Sequence, residues 1–172
     1  IALPLPAPLV AQALAITGGV AGARWQSAEQ LHLTLTFIGE VDEACAGRID
    51  AELHAVRHPA IDVALAGVGH FAKRDIPHTL WLGATPRTSL ADLAAKTTAA
   101  ARRAGASPET RAYVPHVTLA RLSRSSGPID AFLAAHGAFA TGPVTVDRFC
   151  LYESTLGQGG SAYSVLADYR LR

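Results

Sequence analysis

The cleanest alternation of apolar and polar positions along the chain is LHLTLTF, residues 31–37. A strand repeats every two residues, so Leu31, Leu33, Leu35 and Phe37 share one face and His32, Thr34 and Thr36 the other. A second alternating run, HVTLARL at 116–122, sets His116 and Thr118 against Val117 and Leu119. Shorter apolar runs predict strands at 61–66, 79–83, 144–153 and 162–171, and residues 1–3 read as a strand stub. Gly157, Gly159 and Gly160 supply the hairpin loop between the last two strands. The glycine-rich stretch 67–70 reads as a loop. Helical spacing predicts a first helix from Pro6 or Pro8 to about 16, stopped by Gly18 and Gly19. A second is capped by Asp42 and runs to about 57, with Cys45, Ile49, Leu53 and Val56 as its buried stripe. A third runs from Thr88 or Ser89 to near 105 with Leu90 and Leu93 inward, and a short fourth covers 129–136.

Composition narrows the class. The chain has 172 residues, 49% hydrophobic and 17% charged, which suits one globular domain and excludes a disordered chain. A net charge of +1 neither demands nor forbids a nucleic-acid partner. Arginine outnumbers lysine 13 to 2, either from coding bias or because guanidinium groups were kept for bidentate phosphate contacts. Cys45 and Cys150 lack C-x-x-C spacing and read as buried free thiols in a reducing cytosol. No apolar run approaches the roughly 20 residues of a membrane span. The apolar opening lacks a basic flank and is broken by Pro4, Pro6 and Pro8, so it does not read as a signal peptide.

The chemistry sits in a repeat. His-apolar-Thr-apolar occurs twice, with the histidines 84 positions apart, close to half the chain. Within each copy the histidine and threonine share a strand face, about 6.6 Å apart. Two halves related by a pseudo-twofold axis would bring two imidazoles and two hydroxyls around one small anion. In-line phosphodiester cleavage needs that set: a neutral imidazole to take a proton from water, an imidazolium to protonate the leaving oxygen, and hydroxyls for the non-bridging oxygens. A single H-x-T-x match is common by chance, and a lone strand histidine is more often a structural hydrogen-bonder. Two matches in corresponding strands bring the odds to about even. A metal site using His32 and His116 lacks an H-E-x-x-H signature or a third ligand. A non-catalytic RNA-end binding module remains an alternative from another class.

Other residues divide between binding and structural readings. Strict alternation puts Arg121 on the face opposite His116, so it reaches a phosphate only through a bulge or strand end. Arg24 and Arg148 are candidates for RNA-backbone contact, against surface ion pairs. Phe71, Trp81 and Tyr152 can stack a base, with core packing the stronger reading for Trp81. His70, Phe71, Lys73 and Arg74 form either a basic loop rim or an ordinary solvated loop. His54, His58, His78 and His136 share no spacing. Gly157–Gly160 is a turn, because no helix follows it to make a nucleotide loop.

At residues 24–41 (RWQSAEQLHLTLTFIGEV), Val68 to Phe71 with TLWLG, PHVTLAR at 115–121, and VDRFCLYESTLGQGGSAYSVLADY at 146–169, the chain resembles the 2H phosphoesterase superfamily. More narrowly it resembles the bacterial and archaeal RNA 2′,3′-cyclic phosphodiesterases, also called 2′-5′ RNA ligases. The resemblance covers nearly the whole chain. It implies an α+β fold of two pseudo-symmetric lobes, with antiparallel sheets around a central cleft and helices outside, as a single bilobal domain over 1–172. It implies opening of RNA 2′,3′-cyclic phosphate termini to 2′-phosphomonoesters, with 2′-5′ ligation as the reverse reaction. His32 would be the proton donor to the 3′ oxygen and His116 the acceptor from water. Thr34 and Thr118 would hold the phosphate. No metal or organic cofactor is implied. The expected partner is an RNA end or nucleotide bearing the cyclic phosphate, and the protein is expected to be a cytoplasmic monomer. A related activity on another cyclic phosphate or on 2′-5′ oligonucleotides is the nearest alternative. The family usually opens with a basic-apolar strand, of which only residues 1–3 are present here.

Overall fold

The computed structural model describes residues 1–157 and 160–172. Its strands are β1 (Ala2–Pro4), β2 (Arg24–Trp25), β3 (His32–Thr34), β4 (Ile61–Lys73), β5 (Ile76–Thr85), β6 (His116–Arg121), β7 (Val144–Val146), β8 (Arg148–Gly157) and β9 (Gly160–Arg170). They form one antiparallel sheet in the order β7-β4-β5-β6-β3-β1-β8-β9, with β2 also paired to β6. The helices are α1 (Ala7–Leu14), α2 (Glu43–Leu53), α3 (Arg87–Arg103) and α4 (Asp130–His136). The fold is α+β.

The sheet divides naturally at its centre. Outward from β6 run β5, β4 and β7; outward from β3 run β1, β8 and β9. The two sets are joined through the register pair Leu33↔Val117. One face of both sets is apolar: Leu3, Leu33, Leu80, Leu82, Val117, Leu119 and Phe149 are buried there. Leu9 of α1, Ile49 of α2, Leu90 and Leu93 of α3 and Phe132 of α4 join the same cluster. The helices thus cover the face that the alternation makes apolar, and the other face is left for the polar positions.

Several expectations need correction. The strand at 31–37 keeps its ladder only through Thr34. Leu35 and Thr36 both donate their N–H to the Ile1 carbonyl, at 2.9 and 3.1 Å, so two residues stand against one and the alternation flips. Thr36 therefore turns inward to the Thr97 and Thr98 hydroxyls, at 2.8 and 3.0 Å, and Phe37 is exposed. Residues 67–70 are not a loop. β4 runs straight through them, absorbing a bulge where Gly67 has φ +69°. His70 and Phe71 are strand residues, and the turn falls at Arg74 and Asp75, whose φ of 51° and 61° make a tight hairpin between Lys73 and Ile76.

The run at 144–153 is two strands: β7 pairs with β4, and β8 with β9. α3 begins at Arg87 behind Pro86, ahead of the expected Thr88 or Ser89 cap. α2 ends at Leu53, short of 57. Its Asp42 cap accepts from the Cys45 N–H at 2.7 Å, and Val56 is buried beyond the helix. The two cysteines are buried and free. Residues 2–4 fill the place between β3 and β8. Gly159 of the expected hairpin loop lies outside the described residues.

Candidate active site

The central register pair decides the site. Because Leu33 faces Val117 on antiparallel strands, His32 falls across from Thr118 and Thr34 across from His116. Each histidine of one strand thus meets the threonine of the other. The two histidines stand on a diagonal, about 7–8 Å between Cα atoms by sheet geometry. All four side chains are half-buried on the face away from the helices.

Both imidazoles are held by the same backbone device. His32 Nδ1 lies 2.8 Å from the Gln30 carbonyl, and His116 Nδ1 2.6 Å from the Val114 carbonyl, in each case two residues earlier. A carbonyl only accepts, so each Nδ1 carries the hydrogen and each Nε2 is the basic nitrogen of its neutral ring. Aromatic walls fix the rings further. Tyr152 of β8 stacks on His32 at 5.9 Å between ring centres, and Tyr163 of β9 meets it edge-on at 4.5 Å. Around His116, Phe71 of β4 stands edge-on at 4.9 Å and Trp81 of β5 tilts at 6.2 Å. Trp81 lies flat over Gly69, its register partner, where any Cβ would enter the indole.

Burial pushes the His32 imidazole down to about 4; the His116 and Arg121 charges add to this, and the Gln30 carbonyl opposes it. His116 is lowered by burial first, then by the Arg111 and Arg121 charges, against the Val114 carbonyl. Burial thus favours the neutral form of both rings. An anion between them would favour protonation of either.

Arg121 is on the cleft face, contrary to strict alternation. Leu80 pairs with Ala120 but Trp81 with Thr118, so β6 carries one extra residue. Leu119 and Ala120 are both buried, and the bulge rotates Arg121 onto the side of His116 and Thr118. Its Nη1 donates to Thr79 Oγ1 at 3.0 Å. Arg24 is register-paired with Arg121 across β2 and β6. Arg148 is exposed on β8 and lines a groove with Pro4, Leu5 and Asp147, off the histidine cluster.

Sequence reasoning missed Tyr163, Thr79 and Arg111. Tyr163 reaches His32 only because β9 folds back along β8, a long-range pairing that no local pattern announces. Of the loop rim, Phe71 belongs to the site, while His70, Lys73 and Arg74 are exposed on β4 and its turn.

Two imidazoles, two threonine hydroxyls across from them and a flanking guanidinium thus share one face of the sheet, a set of groups chemically suited to proton transfer around a phosphate. A family model described as the 2′-5′ RNA ligase superfamily matches residues 6–158, and the chain belongs to that superfamily. The chain is similar to an RNA 2′,3′-cyclic phosphodiesterase of Thermotoga maritima, 35% identical over 86% of this chain and 79% of the relative. A protein of the same name from Aeropyrum pernix is 32% identical over 83% of this chain and 82% of its own. Among solved structures, a protein of Thermus thermophilus superposes with a TM-score of 0.82 at 25% identity, covering 99% of this chain and 96% of that one. Escherichia coli LigT complexed with 3′-AMP gives 0.75 at 26% identity, covering 99% and 95%. Among the described residues no helix is long and apolar enough to cross a membrane.

Proposed function

We propose that the cleft opens the 2′,3′-cyclic phosphate at an RNA end to a 2′-phosphomonoester without a metal. The observation that carries the reading is the crossed His–Thr arrangement with both Nδ1 atoms tied to carbonyls and both Nε2 atoms left for the cleft. His116 Nε2 takes a proton from water as the water oxygen bonds to phosphorus. The P–O3′ bond breaks, and His32 Nε2 gives its proton to O3′. Thr34 and Thr118 donate to the non-bridging oxygens, and Arg121 supplies positive charge beside them. Phe71 and Tyr152 wall the site against a ribose or base, and Arg24 and Arg148 extend it toward the RNA backbone. With a 5′ hydroxyl in place of water the same geometry makes a 2′-5′ linkage.

The activity in the relatives' names supports this reading. We take residues 1–172 as one bilobal domain acting as a monomer, since one chain carries both His–Thr strands. Two free, buried cysteines fit a reducing cytosol.

The test is to incubate the protein with a short RNA bearing a 2′,3′-cyclic phosphate in the presence of EDTA and to identify the product. A 2′-phosphate end supports the reading. A 3′-phosphate end, activity only with added zinc or manganese, or binding without turnover would contradict it. The last would make the cleft a binding module.

A further inference from the structure

The carbonyl that orients His116 belongs to Val114, whose side chain is exposed and apolar. The one that orients His32 belongs to a glutamine, and each of its four polar atoms has a partner. The Gln30 backbone N–H donates to the Ser27 carbonyl at 3.0 Å. Its carbonyl accepts from His32 Nδ1 at 2.8 Å. Its side-chain Oε1 accepts from the Ser27 N–H at 3.0 Å, and its Nε2 donates to the Ser161 carbonyl of β9 at 2.9 Å.

Gln30 closes the 3-10 turn Ala28–Gln30, which carries the chain from β2 into β3. Such a turn has poorer hydrogen-bond geometry than an α-helix and is easily deformed. The Oε1 bond closes it locally. The Nε2 bond ties it to β9, which the sheet joins to β8 and not to β2 or β3. Ser161 and Tyr163 are i, i+2 residues of β9, so the amide grips that strand two residues from the ring that meets His32 edge-on at 4.5 Å. One side chain thus links the carbonyl that holds the imidazole to the strand that carries its aromatic wall.

A proton is delivered efficiently only from a fixed ring. The His32 imidazole follows the Gln30 carbonyl, and a displacement of about 1 Å at a reacting group costs on the order of 10²-fold in rate. We propose that Gln30, through its Nε2–Ser161 bond, is a positioning residue for the proton donor, setting His32 Nε2 against O3′. Val114 has no side-chain group able to do the same for His116, so the effect falls on the acid half of the reaction. This rests on the acid–base reading above.

The test compares two RNA ends of one sequence, one with the natural cyclic phosphate and one with sulfur in place of O3′, whose thiolate leaves without a proton. Wild type, Gln30→Met, Gln30→Glu and His32→Ala are followed in single-turnover assays. Methionine keeps the length and removes both side-chain bonds. Glutamate keeps the acceptor for the Ser27 N–H and removes the donor to Ser161. Both Gln30 variants are expected to lose about tenfold against wild type on the oxygen substrate and under about twofold on the sulfur one. The single-turnover rate constant does not depend on how much of the chain is folded, so poor folding does not imitate a loss. Equal losses on the two substrates, no loss in Gln30→Met, or a wild-type rate in Gln30→Glu overturns the positioning role, while sulfur rescue of His32→Ala keeps the acid in place. Failure of sulfur to rescue His32→Ala overturns both.

Discussion

His32 and His116 are each tied through Nδ1 to the carbonyl two residues earlier, yet the walls around them differ. Tyr152 and Tyr163 enclose the first, and Phe71 and Trp81 the second. Beyond His32 the cleft continues to Arg24 and Arg121. On the other side, Thr34 is followed by the bulge that exposes Phe37. The likeness comes from the backbone: two short strands meeting at one pair place equivalent side chains equivalently. The difference comes from what β8–β9 and β4–β5 bring over each ring. It places the arginine pair at the His32 end of the cleft.

The largest effect should come from breaking the likeness itself. His32→Ala and His116→Ala should each lower kcat by about 10²–10⁴-fold, read in single-turnover assays. Loss in only one variant would mean the halves are not partners. Next, Thr34→Val and Thr118→Val should each cost about 10²-fold in kcat with little change in melting temperature, because the isostere keeps the packing and removes one donor. An unequal effect would show which half carries more of the transition-state charge.

A smaller effect should be confined to the His116 half. Gly69→Ala pushes the Trp81 indole from its seat, costing about 1–3 kcal/mol of stability in denaturant unfolding and a few-fold in kcat. Restoration by Trp81→Phe in the same chain would show that the fault is steric.

The smallest effect is on pH dependence. Burial holds both imidazoles below the ordinary histidine value of 6.5, His32 at about 4. The unfolded chain therefore binds protons first as pH falls. Stability from these groups is full above 6.5 and is lost as pH drops from 6.5 toward about 4. His32→Gln should flatten that limb of a stability–pH curve. By the same shifts kcat/KM should peak below pH 6.5. A peak above pH 7 would mean that the free cleft does not hold its imidazoles neutral.

Whatever depends on period-two alternation was legible in the sequence. His32, Thr34, His116 and Thr118 share a face because they are i, i+2 residues on strands, and Asp42 caps α2 because its carboxylate answers an orphan N–H. What alternation alone could not give lay at the bulges. An extra residue in β6 brings Arg121 to the cleft, one after β3 sends Thr36 inward and Phe37 outward, and one at Gly67 keeps β4 continuous. Bulges shift register by one residue, and their cause is the pairing of distant strands. Tyr163 was hidden for the same reason: its contact depends on the β8–β9 pairing.

The central claim is that the two imidazoles hold opposite roles, and a change of leaving atom tests it most directly. A cyclic substrate with sulfur in place of O3′ has a leaving group that needs no proton. His32→Ala should regain most of the wild-type rate on that substrate, while His116→Ala should stay as slow as on the oxygen compound. Rescue of His116→Ala instead, or of neither variant, would contradict the assignment.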